Sequence, residues 1–117
     1  MKFIIGIDVA CRAPHVAAGA NQHGEIQWSG VRLRTRVEDL EELITRVPDE
    51  VHELVVVMEP TRNAWVPLAS WLKRHGASVL VVHIVDERVR ILSEGYALIG
   101  EATLDPTKNY QPVRRPQ

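Results

Sequence analysis

Two acidic residues in this chain each stand directly behind a hydrophobic run, and carboxylates placed in that way can do metal chemistry. Asp8 ends the run Phe3-Ile4-Ile5-Gly6-Ile7, and Glu59 ends the run Leu54-Val55-Val56-Val57-Met58, with Pro60 and Thr61 behind it. A continuous apolar run of this length reads as a strand buried on both faces, in the middle of a sheet covered by helices. If the two strands lie side by side and parallel, Asp8 and Glu59 emerge together at their carboxyl ends, where ligand sites form in open α/β sheets. Two adjacent carboxylates repel unless a cation sits between them, and hard oxygen donors favour Mg²⁺ or Mn²⁺. The competing reading is that each acid merely caps the turn or helix that follows it. Spacing alone leaves both readings open.

The elements that must position these acids fit a single domain. The chain has 117 residues, 45% hydrophobic and 25% charged, ordinary globular values with enough length for one core. A formal net charge of −1 supplies no global field for nucleic acid, so any such binding needs a local patch. The single cysteine, Cys11, excludes an internal disulfide and a cysteine metal knuckle, and reads as a small buried residue near a strand end. No stretch approaches the roughly 18 apolar residues of a membrane span. The amino-terminal residues do not form a secretory signal, so a cytoplasmic protein is expected.

Element order narrows the fold. After Asp8 comes a turn at Ala13-Pro14. Small apolar residues follow from His15 to Ala20, and Asn21-Gln22-His23-Gly24 is a second turn with glycine where φ > 0 is needed. Ile26 and Trp28, then Val31 and Leu33, mark a third strand whose phase shifts at Ser29-Gly30, which predicts a bulge. Thr35-Arg36-Val37-Glu38 has the form of a capping box. Val37, Leu40, Leu43, Ile44 and Val47 recur at helical spacing behind it, and Pro48 stops that helix. The Glu59 strand comes next. A second helix starts near Thr61 to Asn63, with Trp65, Leu68, Ala69, Trp71 and Leu72 as its apolar stripe, Pro67 in its first turn and Gly76 as its cap. Ser78 to Val82 is a further strand. The order βββ-α-β-α-β, with right-handed crossovers, sets the Asp8 strand beside the Glu59 strand. It is the core of the ribonuclease H-like (RuvC-like) mixed sheet, an α/β fold that works with acids at those strand ends.

At this point the residues resemble a family. Gly6-Ile7-Asp8-Val9, the Gly24-Glu25-Ile26 hairpin and, most specifically, Met58-Glu59-Pro60-Thr61-Arg62-Asn63-Ala64-Trp65 with Leu68 and Leu72 look like the amino-terminal domain of IS110 family transposases. That domain is similar to Holliday-junction resolvases and uses a DEDD set of acids. The resemblance covers roughly residues 3–82. It implies DNA transposition and recombination, DNA binding, and phosphodiester chemistry with Mg²⁺ or Mn²⁺. Asp8 corresponds to the first acid and Glu59 to the second, as catalytic residues and metal ligands. Implied partners are DNA, a structured RNA in the family, and further copies in a homo-oligomer.

The resemblance stops at about Val82. The family continues into a basic helical stretch and a Thr-Asp-x-x-Asp motif that supplies its last two acids. Here the region around Glu101 and Asp105 has a comparable distance but different spacing and neighbours. The family's carboxy-terminal domain with its serine nucleophile has no counterpart in these residues. The expected organisation is a transposase domain over 1–84 and a divergent helix and tail over 85–117, disordered from about 106. A truncated, catalytically incomplete copy with one weak Mg²⁺ or Mn²⁺ site follows as the expectation.

Other features carry less chemistry. Arg32, Arg34 and Arg36 alternate and would share one face of the third strand, as a solvated sheet edge or as phosphate contacts. His15, His23, His52, His75 and His83 lack zinc-ligand spacing and read as surface or strand-end residues. Trp65 and Trp71 read as core. Two other functional classes fit the pattern. One is a non-enzymatic module that pairs with transposase subunits. The other is an actin or sugar-kinase type nucleotide-binding domain, which would need glycine and a hydroxyl residue after Asp8, where this chain has Val9-Ala10-Cys11.

Overall fold

The computed structural model describes residues 1–59, 62–85, 88–93 and 98–103, those from residue 83 onward as backbone alone. Strand β1 (Lys2–Asp8), β2 (His15–Asn21) and β3 (Ile26–Leu33) form the antiparallel meander read from the turns. They are followed by α1 (Val37–Thr45), β4 (Glu53–Met58), α2 (Trp65–Arg74) and β5 (Ser78–Val85). The strands lie in the order β3-β2-β1-β4-β5, with β4 parallel to both β1 and β5. This five-stranded mixed sheet with two helices is the α/β, ribonuclease H-like core expected from the element order. Two more antiparallel strands, β6 (Arg88–Ser93) and β7 (Leu98–Thr103), extend the sheet beyond β5. They stand where the sequence suggested a helix followed by a tail. The tail expected to be disordered from about 106 lies outside the described residues.

One expectation about the sheet is overturned. The central strands are buried on one face, not two. Phe3, Ile5 and Ile7 are buried, whereas Ile4 is half-buried and Gly6 and Asp8 are exposed. On β4, Val56 and Met58 are buried while Val55 and Val57 are half-buried. The cause is topological. Both crossovers, β3-α1-β4 and β4-α2-β5, advance in the same direction across the sheet, and right-handed crossovers that do so deliver both helices to the same side. Leu40 and Leu43 of α1 and Trp65, Leu68, Trp71 and Leu72 of α2 accordingly join Phe3, Ile5, Ile7, Val56, Met58, Val79 and Val81 in one core. Among the described residues nothing covers the opposite face.

Local chemistry explains the element ends. The expected capping box does not form: the residue at the helix cap is Arg36, and no side chain caps it. The Thr35 hydroxyl is engaged with His15 instead, 2.9 Å from its Nε2. Asp39, one residue beyond Glu38, closes the turn by accepting the backbone N–H of Arg34 at 2.7 Å. That bond, with lesser help from Arg36, holds the Asp39 carboxyl below its usual pKa. Helix α2 ends as expected at Gly76. Its N–H reaches the Lys73 carbonyl and the Ala77 N–H reaches that of Leu72, with Gly76 at φ +92, the geometry of a Schellman cap.

The bulge predicted at Ser29-Gly30 is present. Ala17 pairs with Val31 but Gly19 with Trp28, so β3 carries one extra residue at this point, with a second shift between Gly19 and Ala20, and Gly30 takes φ +68. The bulge turns Trp28 under the sheet. Its ring lies 6.2 Å from that of Phe3, and its Nε1 donates to the Arg46 carbonyl at 3.2 Å, at the end of α1. Gly19 makes room for this ring: a Cβ there would meet Trp28 at 2.5 Å and Phe3 at 2.8 Å. Gly19→Ala is therefore expected to destabilise the fold by about 1–3 kcal/mol in urea unfolding, as over-packing does. Gly6→Ala, with open space around its Cβ, should leave the unfolding midpoint nearly unchanged. Equal midpoints for the two variants would contradict this packing account.

Candidate functional site

The site is built from the central parallel pair. β1 and β4 are in register from Lys2↔Glu53 to Ile7↔Met58, so Asp8 and Glu59 are the next residues on two adjacent strands about 4.8 Å apart. The alternation that buries Ile7 and Met58 leaves Asp8 and Glu59 on the opposite, open face. Both line one cleft of about 710 Å³, whose other walls include Gly6, Val16, Ala18, Val57 and Val82, and which runs to the β3 bulge at Ser29 and Gly30. The two sequence-predicted acids are thus brought to one place. Among the described residues neither is held by a hydrogen bond or an ion pair. For Asp8, the alternative of capping the following turn finds no support among the described residues; Pro60 and Thr61, which follow Glu59, lie outside them.

The donor set suits a hard cation in type: two exposed carboxylates, side by side, with no described basic residue neutralising them. It is a partial set. No group of three or more His, Cys, Asp or Glu residues that could hold a metal occurs among the described residues. Glu101 sits on β7, three strands beyond β4, a lateral offset of roughly 14 Å at ordinary strand spacing. Its backbone position does not bring it beside Asp8 and Glu59. Asp105 lies outside the described residues.

The backbone leading away from the acids has its own supports. Arg62, three residues past Glu59, adopts φ +50, a left-handed conformation uncommon outside glycine. On the other side, the connection after Asp8 is pinned by His15. The Ala10 N–H donates to His15 Nδ1 at 3.0 Å, so the neutral ring carries its proton on Nε2 and donates to the Thr35 hydroxyl. His15 stands at a strand end as expected, the first residue of β2, but it is buried rather than at the surface, whereas Cys11, expected to be buried, is exposed. The signal for His15 was its phase, since His15, Ala17 and Gly19 share the inward face of β2. His75, by contrast, is exposed and stacks on Trp71 at 3.7 Å.

The element order and the mixed sheet make this an α/β domain of the ribonuclease H-like kind. The family can be named. Residues 5–94 match the model of the IS110-type DEDD transposase domain, described as a transposase, and the chain belongs to that family. The match runs through β6 to residue 94, past Val82, where the resemblance was expected to stop. No curated protein and no solved structure matches the chain. No helix among the described residues is long and apolar enough to cross a membrane.

Burial lowers the pKa of His15 from its ordinary 6.5. For a group whose folded pKa is depressed, the unfolded chain binds the proton first, so stability is complete above about 6.5 and declines as pH falls below it. Protonation at Nδ1 would also displace the Ala10 N–H. The melting temperature should fall between pH 7 and pH 5, and His15→Asn, whose Oδ1 can accept from Ala10 without titrating, should flatten that fall. Identical pH profiles for the two proteins would contradict this role for His15.

Proposed function

We propose that this domain uses Asp8 and Glu59 to hold one divalent cation, Mg²⁺ or Mn²⁺, against a phosphodiester of DNA, the partner that membership of a transposase family implies. The observation that carries this reading is the placement of two unengaged carboxylates on one open face, at the carboxyl ends of the central parallel strands. In that position the two acids offer hard oxygen donors to the cation and leave its outward side to water and phosphate. When bound, such an ion polarises a phosphoryl oxygen and lowers the pKa of a coordinated water. The half-buried Val57 and Val82 beside the acids limit how much other water reaches the pair.

The same inventory limits what these residues accomplish alone. Two-metal cleavage needs ions about 3.5–4 Å apart, clamping the attacking and leaving oxygens together. Asp8 and Glu59 provide one ion's worth of donors, and Mg²⁺ gives up its water reluctantly. The described residues are therefore read as binding metal and engaging DNA, without a complete ligand set for two-metal cleavage.

Calorimetry with MnCl₂ tests the first half of this proposal. Wild-type protein should bind one ion weakly, and Asp8→Ala should abolish the signal while leaving the melting temperature within a degree or so, because Asp8 is exposed and touches no described partner. Unchanged Mn²⁺ affinity in Asp8→Ala would remove the paired-carboxylate reading. The second half is tested by incubating the purified chain with duplex and branched DNA in Mg²⁺ or Mn²⁺, with and without a structured RNA. No nicking or strand transfer is expected. Metal-dependent nicking that disappears in Glu59→Ala would show that the domain assembles a complete catalytic set.

A further inference from the structure

The row of residues that crosses the sheet at the level of Asp8 does not end at the carboxylates. Asp8 pairs with Val16 on β2, and Val16 pairs with Arg32 on β3. Burial fixes their common face. The neighbouring pair His15↔Leu33 is buried, whereas Val16 and Arg32 are exposed. Arg32 therefore stands on the open face, in line with Asp8 and Glu59, on the edge strand of the sheet. The expectation that Arg32, Arg34 and Arg36 share one strand face is corrected at the same time. β3 ends at Leu33, and the other two lie on the connection to α1, Arg36 beside Asp39.

Several cations of the described residues are occupied: Lys2 with Glu53, Arg36 with Asp39, and Arg46 with Glu42 and the Trp28 ring. Arg32 has no hydrogen-bond or ion-pair partner among the described residues. Two antiparallel strand spacings separate it from Asp8, about 10 Å between backbones. The cleft floor between them, Val16, Ala18, Ser29 and Gly30, has no charged side chain.

From this placement we infer that Arg32 is a phosphate-binding residue of the same site, gripping a neighbouring phosphate of the DNA strand whose phosphodiester lies at Asp8 and Glu59. The inference rests on the metal-site reading above for its direction, though not for its chemistry. A strand whose one phosphate lies at the carboxylate pair, and which runs toward the β3 edge, brings one of its next phosphates to that edge, because the backbone winds about the axis and successive phosphates stand farther apart than the axial rise of roughly 3.4 Å. An arginine there meets it with a forked, permanently charged donor set. The acids repel that backbone wherever metal does not screen them, so a cation at the other end of the row also sets the direction in which the strand lies.

Fluorescence anisotropy with a labelled duplex oligonucleotide, titrated with salt, tests this on the full chain. Neutralising one phosphate contributes about 0.9 to the slope of log affinity against log salt. Arg32→Gln should therefore reduce the slope by about 0.9 and weaken binding at low salt. Arg74→Gln, a charge-matched change at the end of α2 on the helix side of the sheet, should leave the slope as in wild type. An unchanged slope in Arg32→Gln, an equal loss in Arg74→Gln, or no DNA binding by wild type at low salt would each overturn the assignment. The same titration with MnCl₂ separates the two readings. Affinity that rises with Mn²⁺ in wild type but not in Asp8→Asn supports the metal site whatever Arg32 does. If Mn²⁺ has no effect on wild type, the metal reading fails, and the slope in Arg32→Gln alone decides the role of Arg32.

Discussion

Everything in this domain depends on the parallel pairing of β1 with β4. It joins the meander to the two crossover units and supplies the most deeply buried pair of the core, Ile5 and Val56, in register and both fully inaccessible. Burying an aliphatic side chain of this size contributes about 1.5–3 kcal/mol, and the ladder repeats that gain at Ile7 and Met58. The same register fixes the chemistry. Because side chains alternate at period two, a slip of one residue would send Asp8 and Glu59 to opposite faces. Core packing thus selects the one alignment in which the carboxylates are neighbours.

The second consequence concerns which side of the sheet is available. Both crossovers advance across the sheet in one direction, so the helices share a face and the acids look out from the other. That geometry separates stability from function. Trp65, Leu68, Trp71 and Leu72 hold the closed side together, while Asp8, Glu59, Val16 and Arg32 lie on the open side without partners of their own among the described residues. Substitutions on the open face should therefore report on binding more than on folding. The exceptions are positions such as Gly19 and His15, which face inward and support the strands from behind.

Most of the five-stranded core was legible in the sequence because each element carries its own punctuation. The glycine turn at Gly24, the phase shift at Ser29-Gly30, the stripe of α2 and its Gly76 cap are all local signals, and all are found in the structure. Three features were misread, each for a nonlocal reason. Val55 and Val57 look like residues buried on both sides, but their outer face is a matter of crossover handedness. Thr35 looks like a capping residue, but His15, twenty positions away, competes for its hydroxyl. The arginines at 32, 34 and 36 look like a stripe, but the strand ends after the first of them. Of the site, the two acids could be read from their positions behind apolar runs, and the family from the residues after Glu59. The alignment of Arg32 with Asp8 depends on the bulge register, which spacing alone does not provide.

The central claim is that register and topology bring Asp8 and Glu59 together as ligands of one cation. Anomalous diffraction from crystals soaked in MnCl₂ addresses it directly. The account predicts a single manganese peak coordinated by carboxylate oxygens of both Asp8 and Glu59, lost in crystals of Asp8→Ala. A peak held by other acids, or none between these two in crystals where the cleft is open to solvent, would contradict it.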